Sequence, residues 1–258
     1  MIIDQPSGTG FSFSTNPDSC APKNEVESTA QLYTALQKIF GKILPQYSQN
    51  SLYLFGESFG GHYIPRIGNF IVNKNNGVAQ ESLFSDYPVK LNLKGLGIGN
   101  GYVDPESQNA VLPAFAYEHG LVDATGRDKL QRMADICVTQ THKYDALTRN
   151  GTHFIPANVG LDCDAVFSRL AAMTGINPYN VTSVHPYSFD LMARYLNQKS
   201  VRTALHISTA TPDWVPGSPK VATDFEAGKE NSMLYFLGNI LNNSSVRLMV
   251  YGGALDSV

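Results

Sequence analysis

The sequence predicts an α/β fold with a mainly parallel sheet, and three observations carry that prediction. Short apolar runs at 51–55, 92–98 and 245–251 each lead into a glycine-containing turn. Segments with apolar residues at helical spacing lie between the runs, as expected of parallel strands joined by helical crossovers. One long polar segment, from about 105 to 195, interrupts this rhythm with short helical patterns and two of the three cysteines. Residues 1–104 are therefore assigned to the core, 105–195 to an inserted helical cap, and 196–258 to the core continued.

The elements follow in order. Met1-Ile2-Ile3 reads as the end of a strand running into the turn "DQPSGTGFS", and a chain that starts inside an element is expected to be a piece of something longer. Residues 25–44 place Leu32, Leu36, Ile39, Phe40 and Ile43 on one face of a helix that ends near Pro45. Leu52 to Phe55 read as the end of a buried strand, although periodicity alone leaves a helix open. After Gly60, residues Tyr63, Ile64, Ile67, Phe70 and Ile71 recur at helical spacing. The run "NLKGLGI" is a second buried strand, entering the turn "GNGYVDPESQ". The third, "SVRLMVY", is followed by "GGALDSV".

Composition removes several classes of function. The 258 residues are 43% hydrophobic, enough to bury a full core. A net charge of −3 offers no basic face, which argues against a nucleic-acid partner. No run of 18 apolar residues is present to span a membrane, and the start has neither the basic residues nor the apolar segment of a signal peptide. Cys137 and Cys163 are close enough along the chain to pair, with three buried thiols as the alternative, and no C-x-x-C points to zinc. Sequons begin at Asn150, Asn180, Asn242 and Asn243, a number close to chance for this composition.

The sharpest local signal is Gly56-Glu57-Ser58-Phe59-Gly60 between a strand and a helix. That setting is the one a nucleophile elbow needs. The turn lifts the Ser58 hydroxyl above the sheet. It leaves the Phe59 N–H at a helix start, where developing negative charge is favoured. Glycines on either side are expected to prevent crowding by a Cβ.

Several stretches together resemble the serine carboxypeptidase family, a branch of the α/β-hydrolase fold: "GESFGGHYIP" at 56–65, "DQPSGTGFS" at 4–12 and "IGNGYVDP" at 98–105, with "YEHGLVD", "NPYN" and "YLNQKSVRTALHI" in the same order. The resemblance covers nearly the whole chain. It implies that Ser58 is the nucleophile attacking the C-terminal peptide bond. It implies that the Phe59 N–H is one oxyanion donor, although most members carry Tyr there. Glu57 would bind the substrate carboxylate by sharing a proton with a second acid. Asp256 in "YGGALD" matches the acidic member of the triad, with Ala254 replacing an Asp of the family pattern. The substrates implied are peptide and protein C-termini. No metal or organic cofactor is implied, and the compartment would be vacuolar, lysosomal or secreted. Oligomeric state is not specified.

The triad order of this fold puts the histidine after the acid. His62, His119, His142, His153, His185 and His206 all precede Asp256. His62 and His206 match structural positions of the family, and the remaining four read as surface or packing residues. The catalytic histidine is therefore expected beyond Val258, and the family's N-G-G-P-G oxyanion loop before residue 1. The rival functions are acyl transfer on the same scaffold and an inactive homologue that only binds.

Overall fold

The computed structural model describes residues 1–16, 20–77, 88–148 and 153–257. Helix α1, Glu25–Lys38, starts where the Asn24 side chain accepts from the Glu27 N–H, an N-cap that satisfies one orphan donor. The chain stays helical beyond the sequence expectation. A π-helical turn, Ile39–Ile43, leads to a 3₁₀ turn, Pro45–Tyr47, with Pro45 at its first position. The missing N–H of proline costs nothing there.

Strand β1, Leu52–Glu57, feeds helix α2, Gly60–Asn75. Strand β2, Leu93–Gly99, lies parallel to β1. Helices α3 (Pro105–Glu118), α4 (Ala124–His142) and α5 (Ala157–Thr174) follow. After several short helical segments, helix α6, Leu234–Asn243, leads to strand β3, Arg247–Tyr251. The sheet order is β1-β2-β3 with both pairings parallel. The strands predicted from the runs at 51–55, 92–98 and 245–251 are all present.

Glycine spacing in β2 explains how the sheet is filled. Leu96 and Ile98 point into the main core with Leu36, Ile64, Ile67 and Ile240, between the sheet and α1, α2 and α6. On the opposite face, Gly95 and Gly97 leave room for the rings of Tyr53 and Phe55, and Gly99 for Tyr251. A Cβ at Gly97 would lie 2.2 Å from the Phe55 ring. That second face is open. Tyr53 is 46% and Phe55 62% exposed, so β1 is half-exposed rather than buried as its apolar run suggested. A continuous apolar run does not show which of its faces is covered. Residues 1–3 form no strand, and Ile2 is 95% exposed.

A second core joins α3, α4 and α5 through Leu112, Ala116, Leu130, Val166 and Leu170. Within it Cys137 and Cys163 form a disulfide between α4 and α5, and Cys20 lies exposed outside that pair. Asn180 is half-buried, Asn242 and Asn243 are exposed, and the sequon at Asn150 lies outside the described residues.

Candidate active site

Ser58 sits between the end of β1 and the first turn of α2 with φ of +56°. This left-handed conformation costs a non-glycine residue roughly 1–3 kcal/mol and persists only where neighbours over-determine it. Here they do. The Ser58 N–H donates to the Gly99 carbonyl at 3.1 Å, and its carbonyl accepts from Gly61 at 2.9 Å and Tyr102 at 3.0 Å. No acceptor among the described residues takes the Phe59 N–H, which opens α2.

The glycines divide the steric work differently from the sequence expectation. A Cβ on Gly56 would come within 2.8 Å of the Ile64 side chain, but one on Gly60 would meet nothing within 4 Å. The tight position is Gly61, where a Cβ would lie 2.4 Å from the Tyr102 carbonyl oxygen. The elbow therefore needs room against the turn after β2, and it needs none at Gly60.

Asp256 reaches the same edge of the sheet. Asn100, also left-handed with φ of +42°, donates its N–H to the Tyr251 carbonyl and its side-chain amide to Asp256 Oδ2 at 2.7 Å. Asn100 and Ser257 line a cavity of about 260 Å³ together with Ser58 and Phe59. Ser257 is fixed by two bonds to the Pro178 carbonyl. Ser58 and Asp256 are thus both placed at the C-terminal ends of parallel strands, where sites of such sheets form. Glu57 is exposed beside Ser58 and borders a separate cavity of about 680 Å³ with Asn177, Tyr179 and Tyr187. No second carboxylate lines it among the described residues.

Two buried carboxyl groups were not singled out from sequence. Glu25 is 1% exposed. Its Oε1 accepts from His62 Nδ1 at 2.8 Å, and Oε2 pairs with Arg66. Burial alone would raise its pKa, but His62 and Arg66 outweigh that and hold it below the ordinary carboxylate range. His62 is fully buried and stacks on the Phe59 ring at 4.6 Å, so it packs and hydrogen-bonds as its position in the elbow motif suggested. Glu230, 3% exposed, accepts from the Tyr102 hydroxyl at 2.6 Å. Burial pushes its pKa up to about 7, against the hydrogen bond from Tyr102 and the charge of Lys229. His119, His142, His153, His185 and His206 are exposed. No histidine lines the cavities bordered by Ser58 among the described residues.

A sequence signal existed for Asn100. A "GNG" after a buried strand marks a left-handed turn that asparagine tolerates. None existed for Glu25 or Glu230, whose partners lie 37 and 128 residues away.

Comparison with known proteins gives the same fold. The chain superposes on the crystal structure of KEX1(delta)P, a prohormone-processing carboxypeptidase from Saccharomyces cerevisiae, with a TM-score of 0.77. The sequence identity is 24%, with 98% of this chain and 55% of that one covered. This is the α/β-hydrolase fold that the sequence predicted. The probable serine carboxypeptidase CPVL of Pongo abelii is 30% identical over 260 residues, covering all of this chain and 51% of that protein. The venom serine carboxypeptidase of Apis mellifera is 29% identical over 274 residues, again covering all of this chain and 52% of the relative. The chain spans about half the length of these relatives. The serine carboxypeptidase model matches residues 1–258 from end to end, and the chain belongs to that family.

Proposed function

We propose that this chain carries the nucleophile and the acidic triad member of a serine carboxypeptidase that releases C-terminal residues from peptides. The observation that carries this reading is the left-handed Ser58, held at a strand–helix turn in one cavity with Asn100, whose side chain bonds to Asp256. Ser58 Oγ attacks the scissile carbonyl and forms an acyl-enzyme, which water then hydrolyses. The Phe59 N–H stabilises the oxyanion, aided by the partial positive charge at the start of α2. Glu57 receives the substrate carboxylate. Asp256, oriented by Asn100, fixes the imidazole that takes the Ser58 proton and returns it to the leaving amine. Among the described residues no histidine lines the cavities at Ser58, so the reading requires that base from outside them.

Residues 105–195 act in this reading as a cap. α5 contributes walls to two of the cavities at Ser58, and the segment after it to the larger of these two. The Cys137–Cys163 disulfide supports a vacuolar, lysosomal or secreted location. Among the described residues, no helix is long and apolar enough to cross a membrane.

The test compares residues 1–258 with a form extended at both ends, each exposed to a fluorophosphonate probe and a blocked dipeptide. The extended form is expected to label at Ser58 and release the C-terminal residue, with both lost in Ser58→Ala while thermal unfolding is retained. The short form is expected to be slower by several orders of magnitude. Retained turnover in Ser58→Ala overturns the assignment of the nucleophile. Acyl transfer to an alcohol without hydrolysis overturns the peptidase reading.

A further inference from the structure

Tyr102 is the hinge between the elbow and a buried acid. Its backbone N–H bonds to the Ser58 carbonyl, and its ring lines the cavity of about 260 Å³ that Ser58 and Phe59 also line. Its hydroxyl donates to Glu230 Oε2 at 2.6 Å and accepts from the Asn109 side-chain amide at 3.2 Å. The other Glu230 oxygen, Oε1, is buried with no hydrogen-bond partner among the described residues.

The charges around Glu230 leave an excess of negative sign. Asp164 on α5 and Lys229 pair at 2.5 and 2.6 Å, and both line the cavity. Glu226 lies on Glu230's own loop. A Cβ built at Gly160 would stand 3.0 Å from Glu226 Oε1 and 3.6 Å from Glu230 Oε1, so the glycine makes room for both carboxylates. Three carboxyl groups therefore share one ammonium, which Asp164 already engages.

We propose that Glu230, acting through the Tyr102 hydroxyl, is a specificity-determining residue of the cavity beside Ser58, switching it from selecting a cationic acyl-side side chain when ionised to an uncharged one when protonated. The inference rests on the carboxypeptidase reading of Ser58. An ionised Glu230 binds the tyrosine's only proton and Asn109 takes one of its lone pairs, so Tyr102 can offer the cavity only its remaining lone pair and the site carries net negative charge. A protonated Glu230 can itself donate to the tyrosine oxygen. The Tyr102 O–H is then released toward the cavity as a donor, and the negative field that attracts a cation is weakened by one charge. The walls formed by Leu112, Phe167 and Phe59 serve both states. The buried carboxyl's raised pKa, near 7, places the exchange within an accessible pH range.

Two N-acetylated dipeptides test this, sharing a C-terminal phenylalanine and differing by arginine or norleucine before it. Their affinities for the full chain in a Ser58→Ala background are measured calorimetrically at pH 5.5 and 8.5, with and without Glu230→Gln. The arginine preference is expected to rise about tenfold from the lower to the higher pH, as one added charge at this range predicts, and to stay flat in Glu230→Gln. An unchanged preference in the parent chain, or an equal rise in Glu230→Gln, overturns the inference while leaving the carboxypeptidase reading intact. Failure of both peptides to bind overturns that reading, and the inference with it. Should Glu230→Gln fail to fold, Tyr102→Phe takes its place. It keeps the carboxyl and removes the hydroxyl, and a tenfold rise that persists there overturns the role of Tyr102.

Discussion

Replacing Glu230 by glutamine should change how stability depends on pH, with a size and a sign that the structure fixes. The carboxyl's ordinary pKa is 4.5, and in the folded chain it is pushed up to about 7. Burial is the main cause. Tyr102 and Lys229 oppose it, but the Lys229 ammonium is already held by both oxygens of Asp164. Between these two values the folded state holds a proton that the unfolded state has lost, so stability falls as pH rises through the interval. At about 1.4 kcal/mol per pH unit the loss totals about 3 kcal/mol. Glutamine keeps the shape and the acceptor for Tyr102 but does not titrate. The assay is urea unfolding of both chains at half-unit steps from pH 4.5 to 8. The stability of the parent minus that of Glu230→Gln is expected to fall by about 3 kcal/mol across the range, and groups common to both cancel. A difference that is flat within about 0.5 kcal/mol, or that rises with pH, would refute the assignment of Glu230 as a buried acid proton-bearing near neutrality.

Glu25→Ala should cost about 3–5 kcal/mol at neutral pH, since it leaves Arg66 buried without its counter-charge and His62 without its hydrogen-bond partner; chemical denaturation measures it. The pH dependence has the opposite sign to that of Glu230. The Glu25 contribution is full above the ordinary carboxylate pKa and is lost as pH falls through its lowered folded value, so the gap between parent and variant should close in acid. Gly61→Ala should destabilise by about 1–3 kcal/mol through its contact with the Tyr102 backbone, while Gly60→Ala should stay within about 1 kcal/mol of the parent; thermal melts of the two variants decide. Glu57→Gln in an extended, active form should reduce peptide hydrolysis more than hydrolysis of an ester or amidated peptide, and equal losses on every substrate would remove its role in carboxylate recognition.

What could be read from the sequence was local or periodic. Ser58 was legible because a nucleophile elbow requires one short conformation flanked by a strand and a helix, and all of that lies within the 24 residues from Leu52 to Asn75. The strands were legible from their apolar runs, and the parallel order from the helices between them. The exposure of Tyr53 and Phe55 was not, because it depends on what covers the second face of the sheet. The role of Gly61 over Gly60 was equally hidden, since it depends on the backbone of Tyr102, more than 40 residues away. Nothing in the sequence singled out Glu25 or Glu230. Only tertiary packing places them against His62, Arg66 and Tyr102.

These two carboxyls bear on the same turn from opposite sides. Glu25 holds His62, whose ring stacks on Phe59, and Glu230 holds Tyr102, which bonds to the Ser58 carbonyl and faces His62 at 6.0 Å. The favoured state of Glu25 is ionised and that of Glu230 is protonated. Above about pH 7 the second brace carries an unfavourable buried charge, and well below 4.5 the first loses its counter-charge to Arg66 and its ionised acceptor for His62. Only in the acidic interval between are both satisfied. A strained Ser58 depends on neighbours that over-determine it, so its geometry should be held best in that interval. Of the locations proposed for this chain, an acidic one would satisfy both braces of the elbow. Measuring Ser58 phosphonylation in an extended form, relative to its stability across pH 4 to 8, separates the two contributions. A labelling optimum that stays in place when Glu25→Gln and Glu230→Gln are combined would show that the braces do not set it.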